Sequence, residues 1–178
     1  MIKVKSKDIP KSLTLAIIRQ ESLFNPYAKS SAKARGMMQL LPSTAKRVAR
    51  QAKLKYSTSR LTHPDYNIAL GTRYFKSLLG RFDGSIILSI ASYNAGPTNV
   101  RRWLKKNGDP REKNQLFQVI DWIESIPFAE TRNYVQRVLE NQQVYQLMGQ
   151  SDSITLANNI TWGYKALKAA STQKSAKN

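Results

Sequence analysis

Apolar residues recur at three- and four-residue intervals along most of the chain, the period of an α-helix that buries one face. Ile9, Leu13, Ile17 and Phe24 share one stripe, with Ala16 beside it and Pro10 in the first turn, where proline's missing N–H is tolerated. Asn25-Pro26 ends that pattern, and residues 25–42 read as a polar loop of Ser, Lys, Ala and Gly. Pro42 opens a basic helix from Ser43 to about Lys53. A second loop leads to His63-Pro64-Asp65, a helix-start signal, after which Ile68, Gly71, Phe75, Leu78/Leu79 and Phe82 keep helical spacing. Asp83-Gly84 marks a turn, and Ser85 fits the N-cap of a helix carrying Ile86 to Tyr93. Asn94-Ala95-Gly96-Pro97 is expected to stop it. A short helix over Val100 to Lys106, a turn-rich connector over 107–115 and a helix from Leu116 to Ile126 follow, the last closed by Pro127. A long helix then runs from about Ala129 to Met148. There is no alternating strand pattern and no internal repeat. The expected fold class is all-α, with one domain over roughly residues 8–148. Beyond it, residues 149–178 are weakly patterned and basic, and 168–178 have the composition of a disordered tail.

Composition narrows the chemistry. The chain has 178 residues, 29 Lys+Arg against 11 Asp+Glu, one His and no Cys. Without Cys there is no disulfide scaffold, thiolate zinc site or cysteine nucleophile. His63 alone cannot build a His-rich metal site, and before Pro64 it reads as part of a helix start. No cofactor or metal is expected, so proton chemistry falls mainly to carboxylates. The formal net charge of +18 asks for a polyanionic partner, and nucleic acid, anionic lipid and an anionic wall polymer satisfy it equally. The longest apolar runs, such as Leu15-Ala16-Ile17-Ile18, fall far short of the ~18 residues of a membrane span. The first twelve residues lack the apolar region of an export signal.

Glu21 is the most informative carboxylate. Helical spacing puts it in line with Leu13, Ile17 and Phe24. Desolvation on such a stripe favours the protonated acid, which is what a general acid for glycosidic cleavage requires. The same position also fits a solvated carboxylate at the rim of the stripe.

The stretches Glu21-Ser22-Leu23-Phe24-Asn25-Pro26, Ala28-Lys29-Ser30 and Gly36-Met37-Met38-Gln39-Leu40-Leu41-Pro42 resemble the soluble lytic murein transglycosylases of the goose-lysozyme-like muramidase superfamily. Ala91-Ser92-Tyr93-Asn94-Ala95-Gly96-Pro97 resembles the second motif of that family, and Ile126-Pro127-Phe128-Ala129-Glu130-Thr131-Arg132-Asn133-Tyr134-Val135 the third. The three stand in family order over about four-fifths of the chain. The resemblance implies a lysozyme-like helical domain with a glycan groove. It also implies Glu21 as single catalytic acid/base, Ser30 as the hydroxyl orienting it, and Met38 and Gln39 as groove-lining groups. Tyr93 matches a phenol reaching the catalytic carboxyl, and Asn94 and Glu130 match substrate-binding groups. From the residues alone, Ser30 also fits an ordinary loop serine, Met38 a core filler, Tyr93 a core aromatic and Glu130 a helix-dipole partner. Two departures stand out, Lys33 where the family usually has Gly and Leu41 where it usually has Met.

The resemblance implies cleavage of the β-1,4 bond between N-acetylmuramic acid and N-acetylglucosamine in peptidoglycan, with 1,6-anhydromuramoyl ends as product. It places the enzyme in the periplasm or cell envelope, as a monomer acting on peptidoglycan glycan strands. Soluble members carry a large helical domain ahead of this module, which this sequence does not show. Two other readings compete. A hydrolytic muramidase would need a second carboxylate, with Asp65, Asp83 and Glu130 as candidates. A basic helical nucleic-acid-binding protein is motivated by Lys46-Arg47, Arg50, Lys53, Lys55 and Arg101-Arg102, but the dispersed cations and missing recognition motif leave no nucleic-acid partner expected. Trp103, Trp122 and Trp162 fit either sugar stacking or helix core.

Overall fold

The computed structural model describes residues 9–112 and 116–148, and its regular structure there is helical throughout. The expected C-terminal tail, Trp162 within it, lies outside the described residues. The elements are α1 (Lys11–Ser22), α2 (Pro42–Gln51), a short 3-10 turn (Ser59–Thr62), α3 (Pro64–Arg81), α4 (Ile86–Ala95), α5 (Pro97–Asn107), α6 (Leu116–Glu124) and α7 (Ala129–Leu147). Two compact units divide the chain, the first up to Ser77 and the second from Leu78 onward.

In the first unit, α1 buries Leu13, Ala16, Ile17 and Ile18 completely. Each large apolar side chain removed from water in this way contributes about 1.5–3 kcal/mol. The helix stops earlier than the stripe suggests. Leu23 and Phe24 both adopt left-handed backbone, with φ of 50° and 65°, so Phe24 is not a helical residue. The Leu23 N–H closes the end on the Arg19 carbonyl at 3.1 Å. Helix α2 begins at Pro42 itself and buries Ala45, Val48 and Ala49, leaving Lys46 and Arg50 in solvent. The 3-10 turn stands within the second expected loop and buries Leu61.

In the second unit, Ser85 caps α4 by accepting from the Leu88 N–H at 3.3 Å, as its position predicts. The α4 helix packs on α5 and α7 and buries every residue from Ile87 to Ser92. The helix ends at Ala95, inside the expected stop over Asn94-Ala95-Gly96-Pro97. The break falls at Gly96, whose φ of 83° an L side chain rarely adopts, and Pro97 then starts α5 at its first position. Trp103 and Trp122 are core residues. Trp103 meets the Phe128 ring edge to face at 5.3 Å, and Trp122 donates from Nε1 to the Gly108 carbonyl at 3.0 Å.

Candidate active site

Glu21 is the second-last residue of α1, half-buried at the end of the apolar face. Its neighbour Ser22 fixes what comes next. The Ser22 hydroxyl donates to the Met37 carbonyl at 2.8 Å, with a longer contact of 3.2 Å to the Ile18 carbonyl. This bond ties the helix end beside Glu21 to a segment fifteen residues later. Between them the chain folds on itself through paired positions Lys29 with Arg35 and Arg35 with Leu40. Ser30 closes the tip of this loop. Its N–H donates to the Ala34 carbonyl and its hydroxyl accepts from the Ala34 N–H, both at 3.1 Å. A hydroxyl that accepts in this way still has its own hydrogen to donate.

Gln39 serves the same loop. Its Nε2 donates to the carbonyls of Gly36 at 2.8 Å and Ala28 at 3.0 Å. Both amide hydrogens are thereby used, and the group it can offer a ligand is the acceptor Oε1. Met38 departs from the expectation of a groove-lining residue. Its side chain is fully buried, and a Cβ added at Gly71 of α3 would lie 2.4 Å from its Sδ. The thioether fills the space a glycine leaves on α3, so Met38 packs the loop onto that helix.

The residue that holds this loop most firmly was not among those singled out from sequence. Asn67, fully buried on α3, accepts from the Met38 N–H at 2.7 Å. It also donates to the carbonyls of Arg35 at 2.9 Å and Leu61 at 3.0 Å. One amide thus satisfies three backbone groups of the loop and the 3-10 turn. Gly36 is required beside it, since a Cβ there would sit 2.1 Å from the Leu61 carbonyl oxygen. A polar residue between Tyr66 and Ile68 on a buried helix face is the signal that points to Asn67. Lys33 has φ of 66°, a conformation glycine adopts freely, so its departure from the family pattern falls on a strained position.

The second unit brings two of the expected binding residues together. Asn94, in the last turn of α4, donates from Nδ2 to Glu130 Oε1 at 3.3 Å. Its Oδ1 accepts from the Thr131 hydroxyl at 2.6 Å. Asn94 is thereby held in both directions by the first turn of α7, where Glu130 is exposed and Thr131 buried. Thr131 and the next residue also escaped sequence reasoning. Arg132 donates from Nη1 to the carbonyls of Ile126 at 3.1 Å and Glu124 at 3.3 Å, capping the end of α6. Tyr93 is half-buried on α4.

Asp109, Asp83 and Asp65 each sit in a structural setting. Arg111 grips Asp109 through Nε, 2.9 Å from Oδ1 and 3.0 Å from Oδ2, and reaches Asp83 Oδ2 through Nη1 at 2.6 Å. The hydrogen bonds from Arg111 hold the Asp109 carboxyl below the ordinary carboxylate range, against an opposing effect of burial, and the Arg111 pKa is raised in return. Asp83 is thus engaged with a cation. Asp65 lies in the first turn of α3, where a negative charge suits the helix dipole. Exposed His63 precedes that helix, and its backbone carbonyl accepts from the Asn67 N–H at 3.0 Å, in keeping with a helix start.

Comparison with known proteins identifies the family. Residues 2–116 match the family model for the transglycosylase SLT domain, and residues 125–152 match that for the soluble lytic transglycosylase helical domain. The soluble lytic murein transglycosylase of Escherichia coli K12 is 39% identical over 160 residues, covering 88% of this chain and 24% of that protein. Among solved structures, the lytic transglycosylase Slt of Pseudomonas aeruginosa, an inactive mutant, superposes with a TM-score of 0.72 at 41% identity, covering 82% of this chain and 23% of that one. A 70-kDa soluble lytic transglycosylase in complex with bulgecin A gives a TM-score of 0.75 at 36% identity over 86% of this chain and 24% of that one. The chain therefore spans about a quarter of the length of these soluble relatives. Its all-α fold is the lysozyme-like fold of these enzymes. On the family match and the shared fold, the chain belongs to the transglycosylase SLT domain family.

Proposed function

We propose that this chain is a peptidoglycan lytic transglycosylase module that cleaves the β-1,4 bond between N-acetylmuramic acid and N-acetylglucosamine and leaves a 1,6-anhydromuramoyl end. The observation that supports this most is Glu21 at the end of α1, with Ser22 bonded to the loop that carries Ser30 and Gln39. Glu21 donates its proton to the glycosidic oxygen as the C1–O bond breaks and oxocarbenium character develops. The same carboxylate then takes the proton of the muramoyl 6-hydroxyl while O6 bonds to C1, which returns Glu21 to its starting form. Intramolecular attack needs no captured water and gains from proximity. Ser30 orients Glu21, Gln39 accepts a hydrogen bond from the sugar, and Tyr93, Asn94 and Glu130 bind the glycan. The module acts as a monomer in the periplasm or cell envelope, and bulgecin A is an expected ligand.

Glu21→Gln tests the assignment. The variant should bind glycan strands with wild-type affinity and lose at least about 10²–10⁴-fold in turnover, the worth of a positioned general acid. Near wild-type turnover would remove Glu21 from the chemistry.

A further inference from the structure

A cavity of about 310 Å³, wide open to solvent, lies at α2 and α3 of the first unit, lined by Val48, Gln51, Ala52, Arg73 and Lys76. It shares no residue with the loop that carries Ser30 and Gln39. Its lining is divided in character. Val48 is buried and Ala52 half-buried, which makes a small aliphatic wall, while Gln51, Arg73 and Lys76 are exposed polar groups.

Arg73 is held in place by its own helix, since Nη1 donates to the Ala69 carbonyl at 2.9 Å. A guanidinium has five N–H donors, so four remain after that bond. Among the described residues, no carboxylate lines the cavity. Glu21 and Asp65 are the only acidic residues in the sequence between 9 and 77, against thirteen Lys and Arg. Asp65 and Arg73 stand eight residues apart on α3, about 12 Å along the axis, which exceeds the screening length of ~8 Å at physiological salt. On α2, exposed Lys46 and Arg50 add to the positive potential.

We propose that this cavity is an exosite for the carboxylates of the short acidic peptides carried by the wall glycan. The proposal rests on the transglycosylase reading for its substrate. Three features favour a peptide carboxylate over a phosphate strand. The volume falls at the low end of the ~300–1,000 Å³ typical of small-ligand sites, suited to one or two amino-acid residues. The Val48 and Ala52 wall fits an aliphatic side chain, and the Gln51 amide pairs with a peptide amide. The Arg73 fork matches a carboxylate in two parallel hydrogen bonds.

The intact chain is titrated with a synthetic acidic tetrapeptide ending in a free carboxylate and with its C-terminal amide. The free acid should bind, the amide should bind about tenfold more weakly, and Arg73→Gln should lose about ten- to a hundredfold, as for a charge-assisted bond. Arg73→Lys should fall between. In turnover, wild type should favour peptide-bearing glycan over peptide-stripped glycan in kcat/KM. Arg73→Gln should lose that preference while keeping the wild-type rate on stripped glycan, which also shows that it is folded. Equal binding of acid and amide, an unchanged Arg73→Gln preference, or displacement of the peptide by inorganic polyphosphate at equal charge would each overturn the proposal. Absence of cleavage on both glycans would overturn the transglycosylase reading instead, and the peptide titration would still decide the cavity.

Discussion

Replacing Asn67 by Ala should loosen the loop that flanks Glu21 while leaving the helices themselves formed. The side chain makes three hydrogen bonds, all to backbone groups, between 2.7 and 3.0 Å, and is fully buried. Each such bond has a net worth of about 1 kcal/mol, and a buried group left without a partner costs about 1–3 kcal/mol. Water entering the vacated space offsets part of this, so a loss of about 3 kcal/mol is expected. That is a large share of the ~5–15 kcal/mol of a typical domain, yet the protein stays folded at neutral pH. Urea unfolding followed by far-ultraviolet circular dichroism measures it, with the midpoint lowered and the slope unchanged. Asn67→Asp is the sharper variant. It keeps the acceptor for the Met38 N–H but turns an oxygen towards the carbonyls of Arg35 and Leu61. Burial and those carbonyls raise the new carboxyl's folded pKa above its unfolded value of about 3.9. The penalty is therefore small below that value and grows as pH rises, because the unfolded chain ionises first. Peptidoglycan cleavage by either variant should fall at least about tenfold under conditions where it is folded, since small misplacements near reacting groups are expensive. A stability loss below about 1 kcal/mol for Asn67→Ala would show that the loop holds its own shape without this residue.

Lys33→Gly should stabilise the protein by about 0.5–1 kcal/mol, because position 33 has φ of 66°, and a destabilised variant in denaturant melts would refute the strain argument. The contribution of Asp109 is present above its ordinary pKa of 3.8 and is lost as pH falls below it, because Arg111 lowers the folded pKa. Asp109→Asn should therefore lower the melting temperature at pH 7 and narrow its difference from wild type near pH 3; a gap that does not change with pH would contradict this. Thr131→Val removes the 2.6 Å bond to Asn94 and should cost about 1 kcal/mol in stability while raising KM more than it lowers kcat. An unchanged KM would detach Asn94 from glycan binding.

The helical pattern was legible because burial is periodic and local. Ser85 as an N-cap and Pro42 and Pro64 as helix starts follow from neighbouring residues alone. The ends that escaped depend on backbone angles that side-chain type does not dictate. Leu23 and Phe24 take left-handed φ although neither is Gly or Asn, so α1 stops before the expected Asn25-Pro26. Gly96 ends α4 inside the expected stop, but Pro97 begins α5 three residues ahead of the expected Val100. The candidate site was legible through its motifs, but the residues that hold it were not. Asn67 meets Met38 across twenty-nine positions, and Thr131 meets Asn94 across thirty-seven. Such pairings are set by tertiary packing. Met38 shows the converse, since its place in a motif suggested a groove while Gly71 on another helix drew it into the core.

The central claim is that the muramoyl 6-hydroxyl, and not water, attacks C1. Digestion of purified peptidoglycan in heavy-oxygen water, with the products weighed by mass spectrometry, tests it most directly. Transfer within the sugar predicts anhydro products lighter by one water than reducing ones and free of the heavy isotope. Reducing ends carrying the heavy oxygen would contradict the account and identify a hydrolytic muramidase.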